Sequence, residues 1–246
     1  MRLRNRISQI GRKCRLDYHG AEIFIFADNG REMETRAKSC SKEPETVQWI
    51  EAQCSADTIF YDIGANIGAY SLVAAAQKAR VYAFEPAYQH YFRLCQNVSL
   101  NNMDEVISCF PVAFSSATAI KSFVYQDTTT GTSRCYFNKK DNFRFDSSRD
   151  VIRKSTLIYC LDEFQAQFDM PCPHMLKIDV DGAEKEILEG ACDILANPVL
   201  ETILIEIDER IFRPKEILDI LEGFHFFVEG RYRRDERTYN YILERG

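Results

Sequence analysis

The chain has 246 residues, which is enough for one α/β domain with additions or for two very small domains. Apolar residues make up 46% and charged residues 28% of the chain, as is ordinary for a soluble globular protein. The net charge of −6 argues against a nucleic-acid partner, because proteins that bind nucleic acids normally carry a basic surplus.

The N-terminal stretch MRLRNRISQIGRKCRLDYHG is basic but lacks the apolar segment of a secretory signal. We interpret it as a solvated leader, with contact to an acidic lipid surface or an anionic partner as the alternative. No apolar run approaches the roughly 20 residues of a transmembrane helix, so we expect no membrane span and a cytoplasmic location. The nine cysteines form no C-x-x-C pair or zinc-site spacing, and we expect free thiols.

Strands and helices alternate from the first third of the chain onward. A strand is predicted at residues 21–27, and a helix at residues 43–53 has Pro44 near its start. There follow the strand DTIFYDIG, the helix IGAYSLVAAAQ, the strand RVYAFEP, the helix AYQHYFRLCQNVSLNN and the strand VISCFPVAF. This alternation predicts an α/β fold with parallel βαβ units in a doubly wound sheet, whose strand ends share one edge.

The alternation of strands and helices breaks between residues 127 and 155. We expect this segment to be a lid or an insertion that binds a substrate, the acceptor of a transferred group. Its candidate acceptor contacts are Thr128, Thr129, Thr130, Thr132, Ser133, Arg134, Tyr136 and Phe143. Regular structure resumes with TLIYCLDEFQAQF, the strand PHMLKIDV, the helix GAEKEILEGACDIL, the strand VLETILIEI and the helix RPKEILDILEGF. We interpret residues 1–55 as a leader, strand and helix that pack on one domain formed by residues 56–246.

The last two predicted strands, FHFFVEG and TYNYILE, are expected to form an antiparallel pair at the end of the chain. FHFFVEG is apolar enough to pair with a second copy as well as within its own sheet, which leaves a homo-oligomer open.

The turn after the first core strand, DIGANIG, contains Gly64 and Gly68 in a G-x-x-x-G spacing. A dinucleotide-binding turn has the spacing G-x-G-x-x-G, but here Ala65 and Asn66 replace the middle glycine. The turn also lacks a P-loop lysine. It therefore suits S-adenosylmethionine, whose carboxylate a helix N-terminus can accept, better than NAD.

Two further strand ends support a nucleoside site. Glu85, followed by Pro86, ends the second strand, where a carboxylate can accept hydrogen bonds from both ribose hydroxyls. Apolar residues around Ala113, in PVAFS, end the third strand and can flank an adenine ring.

Acidic residues gather near LKIDVDGAE. Side chains alternate along a strand, so Lys177, Asp179 and Asp181 are expected on one side, with Glu206 alongside if the next strand is a neighbour. If the methyl group of S-adenosylmethionine is transferred to a hydroxyl, that hydroxyl must lose its proton, and a carboxylate can serve as the general base. Asp179 is the first choice for this base, with Asp181 and Glu206 as alternatives, and Lys177 can hold Asp179 ionised or contact the acceptor.

Two other interpretations of these acids remain open. The pair Asp179 and Asp181 can hold Mg²⁺ through oxygen ligands, or the acids can form salt bridges at the strand end. We predict no metal ligands. His90, His174 and His225 are given no role.

The segments DIGANIGAYSL, YAFEP, CLDEF and LKIDVDGAEKEILEG together resemble the FkbM-type methyltransferases, a branch of the Rossmann-like S-adenosylmethionine-dependent enzymes. The resemblance extends to SKEPETVQWI, and it departs from the family at Asp181, where the family typically has glutamate. It implies a class I methyltransferase fold. By similarity, the methionine end would be lined by Asp62, Gly64, Ala65, Asn66 and Gly68, and the ribose would bind Glu85.

The resemblance implies O-methylation with S-adenosyl-L-methionine, and we expect a saccharide hydroxyl as the acceptor. The alternatives are a small-molecule or lipid-linked hydroxyl, with or without Mg²⁺, and a nucleoside-binding module without turnover in a biosynthetic assembly. The acids Asp179, Asp181 and Glu206 distinguish an enzyme from a binding module, because a binding module does not need a base.

Overall fold

A computed structural model describes residues 11–28, 30, 32–125, 135–136 and 152–246. The strands are β1 (Arg12–Arg15), β2 (Phe24–Ala27), β3 (Ile59–Ile63), β4 (Arg80–Phe84), β5 (Ile107–Phe110), β6 (Ala113–Phe114), β7 (Ala119–Tyr125), β8 (Cys135–Tyr136), β9 (Ile152–Tyr159), β10 (Met175–Ile178), β11 (Thr202–Asp208), β12 (Phe226–Arg233) and β13 (Thr238–Arg245). The helices are α1 (Ser39–Lys42), α2 (Pro44–Gln53), α3 (Ala69–Ala76), α4 (Tyr88–Leu100), α5 (Leu161–Gln167), α6 (Glu184–Glu189), α7 (Cys192–Ala196) and α8 (Pro214–Gly223), with a π-helical turn at Glu32–Arg36.

A seven-stranded sheet in the order β12-β13-β11-β10-β3-β4-β5 forms the centre of the molecule. The five strands from β11 to β5 run parallel, whereas β13 is antiparallel to both β11 and β12. The predicted doubly wound, mostly parallel sheet with an antiparallel C-terminal pair is therefore confirmed. From β3 the chain builds outward through β4 and β5, then returns to add β10 on the other side, so a crevice opens between β3 and β10.

Helices cover both faces of this sheet. One apolar layer contains Trp49 of α2, Leu72 of α3 and Leu94 of α4, and the opposite layer contains Leu188 of α6 and Leu221 of α8. Because both faces are covered, the parallel strands are nearly continuous apolar runs rather than alternating ones. Pro44 and Pro214 each occupy the first turn of a helix, where the missing N–H costs no hydrogen bond.

Several predicted boundaries were wrong. The predicted strand VISCFPVAF is two strands: β5 belongs to the main sheet, and β6 pairs with β9 in a separate four-stranded sheet of order β6-β9-β7-β8. Pro111 lies between them, and a proline has no N–H to continue a ladder. The predicted helix GAEKEILEGACDIL is likewise two helices, α6 and α7, separated at Gly190, where a side chain would meet the Ser115 carbonyl.

Two strands lie within segments that were predicted to lack regular structure. Residues 12–15 of the leader form β1, which pairs antiparallel with β2. Strand β9 begins at Ile152, within the predicted irregular segment, and pairs antiparallel with β7. Most of residues 127–151, with most of the predicted acceptor contacts, lie outside the described residues, as does the start of the leader. The assignment of residues 56–246 to one domain stays a prediction.

In the described part of the chain no helix is long and apolar enough to cross a membrane. The eight cysteines whose side chains the structure describes are free thiols, as expected.

Asn97 of α4 connects the N-terminal strand pair β1–β2 to the core by hydrogen bonds. Its side chain is fully buried; its Oδ1 accepts a hydrogen bond from the Phe26 N–H at 2.8 Å, and its Nδ2 donates to the Ile67 carbonyl at 2.8 Å. We expect Asn97→Ala to lower the free energy of unfolding by about 3 kcal/mol, because two buried backbone groups lose their partners. Urea denaturation measures the change. Ser99→Ala on the same helix is the control, with an expected change below about 0.5 kcal/mol. Equal losses in the two variants would contradict the prediction.

Candidate active site

A cavity of about 810 Å³ opens at the carboxyl ends of β3, β4, β10 and β11, where the strand order reverses. Ligands of open α/β sheets bind at this position. The predicted site residues that line it are Gly64, Asn66, Glu85, Pro86, Ala113, Asp179, Asp181 and Glu206. The predicted residues Asp62, Ala65, Gly68 and Lys177 are not in its wall; they lie in or behind the turn and the strand end.

The two glycines of the turn are required by packing inside the protein. Gly64 has a φ of +84°, and a Cβ there would lie 2.0 Å from the backbone oxygen of Asp179. Gly68 has a φ of +88° at the start of α3, and a Cβ there would lie 2.5 Å from a methyl group of Leu94. The two glycines are therefore explained by the close approach of this turn to the end of β10 and to α4. Their spacing does not by itself identify a ligand.

Glu85 is oriented by the backbone around it. Its Oε2 accepts a hydrogen bond from the Asn66 N–H at 2.8 Å, and its Oε1 accepts one from the Ala87 N–H at 2.8 Å. The side chain is buried, yet it lines the cavity. Each carboxylate oxygen keeps acceptor capacity for a further hydrogen bond, which is what a pair of ribose hydroxyls requires.

Lys177 connects the turn to the acidic strand end. Its side chain is 1% exposed, and its ammonium nitrogen lies 3.3 Å from Asp62 Oδ1 and 3.0 Å from Asp179 Oδ2. Asp62 also accepts a hydrogen bond from the Ser71 hydroxyl at 2.6 Å. Of the two roles predicted for Lys177, this geometry supports the pairing with Asp179, because the ammonium faces the carboxylates and not the cavity.

The neighbouring acids at the strand ends have different pKa values. Burial opposes ionisation of Asp179, but the charges of Lys177 and Arg234 outweigh it and lower the pKa of Asp179. Glu206 lies on the adjacent strand β11, one residue after Ile205, which pairs with Ile178 just before Asp179. Burial, and then the charge of Asp179, raise the pKa of Glu206 to about 8. Two acids with separated pKa values in one cavity are typical of acid–base catalysis.

Asp181 lines the same cavity but not in the predicted way. Strand β10 ends at Ile178, so the alternation of side chains does not continue to Asp181, which lies in the loop before α6. Among the residues that the structure describes, no group of three or more His, Cys, Asp or Glu side chains is arranged to hold a metal ion.

Sequence reasoning missed two residues of the site. Arg234, between β12 and β13, donates hydrogen bonds to the Glu43 carboxylate and to the Lys42 carbonyl, the latter at 3.2 Å, and its Nε lies 3.6 Å from Glu206 Oε2. Glu43 is buried beside it, and burial together with the charge of Asp179 raises its pKa. Glu43 lies in the SKEPETVQWI segment, which was a usable signal, whereas Arg234 lies in an arginine-rich turn without one.

His174, which was given no role, supports the sheet: its Nδ1 accepts a hydrogen bond from the Ile59 N–H at 3.0 Å. His225 precedes β12 with a φ of +65° and lies outside the cavity wall. His90, by contrast, lines the cavity.

The raised pKa of Glu206 has a consequence for stability. The pKa of this carboxyl is near 4.5 in the unfolded chain and about 8 in the folded protein, so between these pH values the folded protein keeps a proton that the unfolded chain releases. The free energy of unfolding therefore falls as pH rises across this interval. We expect Glu206→Gln to remove this loss, so that the variant is more stable relative to wild type at pH 8.5 than at pH 5. Urea denaturation at both pH values measures it, with the exposed Glu201→Gln as control. A Glu206→Gln variant that differs from wild type equally at both pH values would contradict the assignment.

Comparisons with known proteins agree with the site. Residues 62–234 match the Methyltransferase FkbM domain family. The chain is 23% identical over 202 residues to the hexuronic acid methyltransferase AglP of Haloferax volcanii, covering 82% of this chain and 77% of that protein. It is 25% identical over 182 residues to the methyltransferase sdnD of Sordaria araneosa, covering 61% of this chain and 68% of that protein.

Solved structures show the same fold. The SAM-dependent methyltransferase from Agrobacterium tumefaciens superposes with a TM-score of 0.55 at 10% identity, covering 96% of this chain and 71% of that one. TYW2 of P. horikoshii, solved in complex with MeSAdo, superposes with a TM-score of 0.51 at 15% identity, covering 90% and 67%. The chain therefore has the Rossmann-like methyltransferase fold, and it belongs to the FkbM methyltransferase family.

Proposed function

We propose that this methyltransferase uses S-adenosyl-L-methionine and transfers its methyl group to a hydroxyl of a saccharide. The observation that carries the proposal is one cavity with two chemically different ends. The carboxylate of Glu85, oriented by backbone N–H groups, directly follows β4, whereas Asp179 directly follows β10 and Glu206 lies within the last part of β11.

The residues at the Glu85 end fit a nucleoside. Glu85 offers acceptor capacity to ribose hydroxyls, and Pro86, Val112, Ala113 and Phe114 supply apolar wall for a flat ring. Asn66 follows the glycine turn at the same end. When bound, S-adenosylmethionine supplies an electrophilic methyl group on a sulfonium. The residues of the cavity would orient the nucleoside and hold the acceptor oxygen in line with the methyl–sulfur bond.

The acids at the other end would receive the acceptor's proton. Asp179, held ionised by Lys177, is suited to accept a hydrogen bond from the hydroxyl and fix its direction. Its lowered pKa also makes it a weak proton acceptor. Glu206 is the stronger base once ionised, since its pKa is about 8. We therefore propose that Asp179 positions the hydroxyl and that the neighbouring Glu206 accepts the proton as pH rises toward 8. Asp181, in the same wall, remains an alternative base.

A saccharide acceptor is supported by the relative named as a hexuronic acid methyltransferase and by polar side chains in the cavity wall. Lys42, Lys121 and Lys185 line the cavity, and none of them has an acidic partner within 4 Å in the described part of the chain. These ammonium groups can donate hydrogen bonds to the hydroxyls of a sugar. A small-molecule or lipid-linked hydroxyl is the alternative acceptor, and assays with and without Mg²⁺ address the metal-assisted variant.

Calorimetric titration with S-adenosylhomocysteine tests the cofactor assignment, with NAD as the control ligand. We expect S-adenosylhomocysteine to bind and NAD not to bind. Glu85→Ala should make the free energy of binding of S-adenosylhomocysteine less favourable by about 1–3 kcal/mol, because charge-assisted hydrogen bonds to the ribose are lost. Binding of NAD alone would overturn the cofactor assignment, and full affinity in Glu85→Ala would place the nucleoside elsewhere.

Turnover tests the role of the acids and separates an enzyme from a binding module. We expect Asp179→Asn to keep its affinity for S-adenosylhomocysteine, since Glu85 is unchanged. Methyl transfer to saccharides should fall by about a hundredfold, because the hydroxyl loses the carboxylate that fixes its direction. Wild-type turnover should rise with pH up to about 8, following Glu206, and this rise should be absent in Glu206→Gln. Equal loss of cofactor affinity in Asp179→Asn and Glu85→Ala would contradict the division of roles.

A further inference from the structure

Arg234 lies in the turn between β12 and β13 and lines the cavity, but none of the chemistry described above uses it. Its side chain is 9% exposed. Its Nη2 donates a hydrogen bond to the Glu43 carboxylate, and its Nη1 donates one to the Lys42 carbonyl oxygen at 3.2 Å. The Arg234 N–H donates to the Thr238 carbonyl oxygen at 2.8 Å, which closes the turn. Two of the three guanidinium nitrogens are therefore held by residues that directly precede α2.

The third guanidinium nitrogen lies near Glu206. Nε is 3.6 Å from Glu206 Oε2, and it has no hydrogen-bond partner among the residues that the structure describes. A hydrogen bond between these atoms needs a separation of about 2.7–3.2 Å, so a shift of roughly half an ångström would form it. Because an ionised carboxylate attracts a guanidinium more strongly than a neutral carboxyl does, ionisation of Glu206 favours this contact.

Ionisable groups from several elements surround Arg234 and Glu206, and most of them are acidic. They are Asp179 after β10, Asp181 in the following loop, Glu184 of α6, Glu43 before α2, Lys42 at the end of α1 and Tyr70 of α3. The ammonium of Lys177 is already bonded to Asp62 and Asp179. Within the described ranges, Arg234 is the residue that brings a cationic nitrogen within 4 Å of the Glu206 carboxylate. An ionised Glu206 therefore depends on Arg234 for its counter-charge.

We propose that Arg234 is a positioning residue of the acceptor end, which pairs with the ionised Glu206 carboxylate and holds it where it receives the proton of the acceptor hydroxyl. This rests on the proposed function, in which Glu206 is the base. As the hydroxyl oxygen forms its bond to the methyl group and the methyl–sulfur bond breaks, the proton passes from that oxygen to a carboxylate oxygen of Glu206. Arg234 keeps its own protons throughout and supplies a fixed positive charge.

A guanidinium suits this role better than an ammonium. Arg234 is held through its Nη atoms by Glu43 and Lys42, and Nε remains for Glu206. A lysine has one nitrogen at the end of a flexible stem and cannot bond all three partners in a fixed plane. Arg234→Lys would therefore keep the positive charge and lose its fixed direction.

A double-mutant cycle tests the pairing without any ligand. The free energy of unfolding is measured by urea denaturation at pH 5 and pH 9 for wild type, Arg234→Gln, Glu206→Gln and the double variant. Glu206 is protonated at pH 5 and mostly ionised at pH 9, since its pKa is about 8. At pH 5 we expect Arg234→Gln to cost the same in both backgrounds. At pH 9 it should cost more in the wild-type background than in the Glu206→Gln background, and the titration of the surrounding acids cancels because both backgrounds contain them.

Two further variants control the cycle. Arg234→Lys keeps a charge beside Glu43, and it should show a coupling to Glu206 at pH 9 of the same sign as Arg234→Gln but smaller. Arg233→Gln is the matched control, because Arg233 is the exposed neighbour of Arg234 and lies outside the cavity wall; it should show no pH-dependent coupling. Absence of coupling at pH 9 in both Arg234 variants, or equal coupling at the two pH values, would overturn the proposal.

The pH dependence of methyl transfer gives a readout that a merely structural role would not move. The substrates are S-adenosylmethionine and a hexuronic acid glycoside. In Arg234→Gln, the rise of turnover toward pH 8 should move upward by about one pH unit, because Glu206 is harder to ionise without a neighbouring positive charge. Arg233→Gln should keep the wild-type profile, and Arg234→Gln should keep its affinity for S-adenosylhomocysteine. A fall in turnover by the same factor at every pH in Arg234→Gln would overturn the positioning role.

Glu206→Gln distinguishes failure of this proposal from failure of the proposed function. If Glu206→Gln abolishes the rise of turnover with pH and Arg234→Gln leaves it at the wild-type pH, Glu206 remains the base and the role of Arg234 alone falls. If Glu206→Gln retains the rise, Glu206 is not the base, and both proposals fall.

Discussion

The buried ammonium of Lys177 is the interaction on which the rest of the site depends. It lies between Asp62, in the last part of β3, and Asp179, directly after β10. The hydroxyl of Ser71 in α3 also donates a hydrogen bond to Asp62. A charge this deep is tolerated only when it is paired, and removing one member would leave the others uncompensated. The pair joins the two strands at the point where the sheet order reverses, and it keeps an ionised carboxylate at the edge of the cavity.

Close backbone packing fixes the same junction from another direction. Gly64 lies against the backbone oxygen of Asp179, and the Asp179 N–H donates to the Ile63 carbonyl at 3.0 Å. The turn that leads to the proposed nucleoside end and Asp179 at the proposed acceptor end are thus parts of one contact. A shift of either would move the other, and the proposed transfer reaction would benefit from such a coupling because it needs its two reactants held in a defined geometry.

Segments from the two ends of the described chain complete the acidic end of the cavity. Glu43, just before α2, and Arg234, between β12 and β13, are paired, and Arg234 also faces Glu206. Asn240 of β13 donates to Glu45 Oε1 at 3.0 Å, which fastens the same two segments. The helix that precedes the core and the terminal hairpin therefore set the electrostatics of the acids, and the antiparallel pair is part of the site as well as of the sheet.

The sequence by itself determined the alternation of strands and helices, the doubly wound sheet and the antiparallel end. It also placed Glu85 and Asp179 directly after strands and Glu206 on the next strand, because apolar periodicity and order along the chain carry that information. Tertiary structure alone decided the partners: Arg234 for Glu43, Glu85 for His90, and the burial that separates the pKa values of Asp179 and Glu206. It also divided the strand around Pro111 and explained Gly64 by its contact with Asp179. Such contacts join residues far apart in the chain, and neither periodicity nor spacing records them.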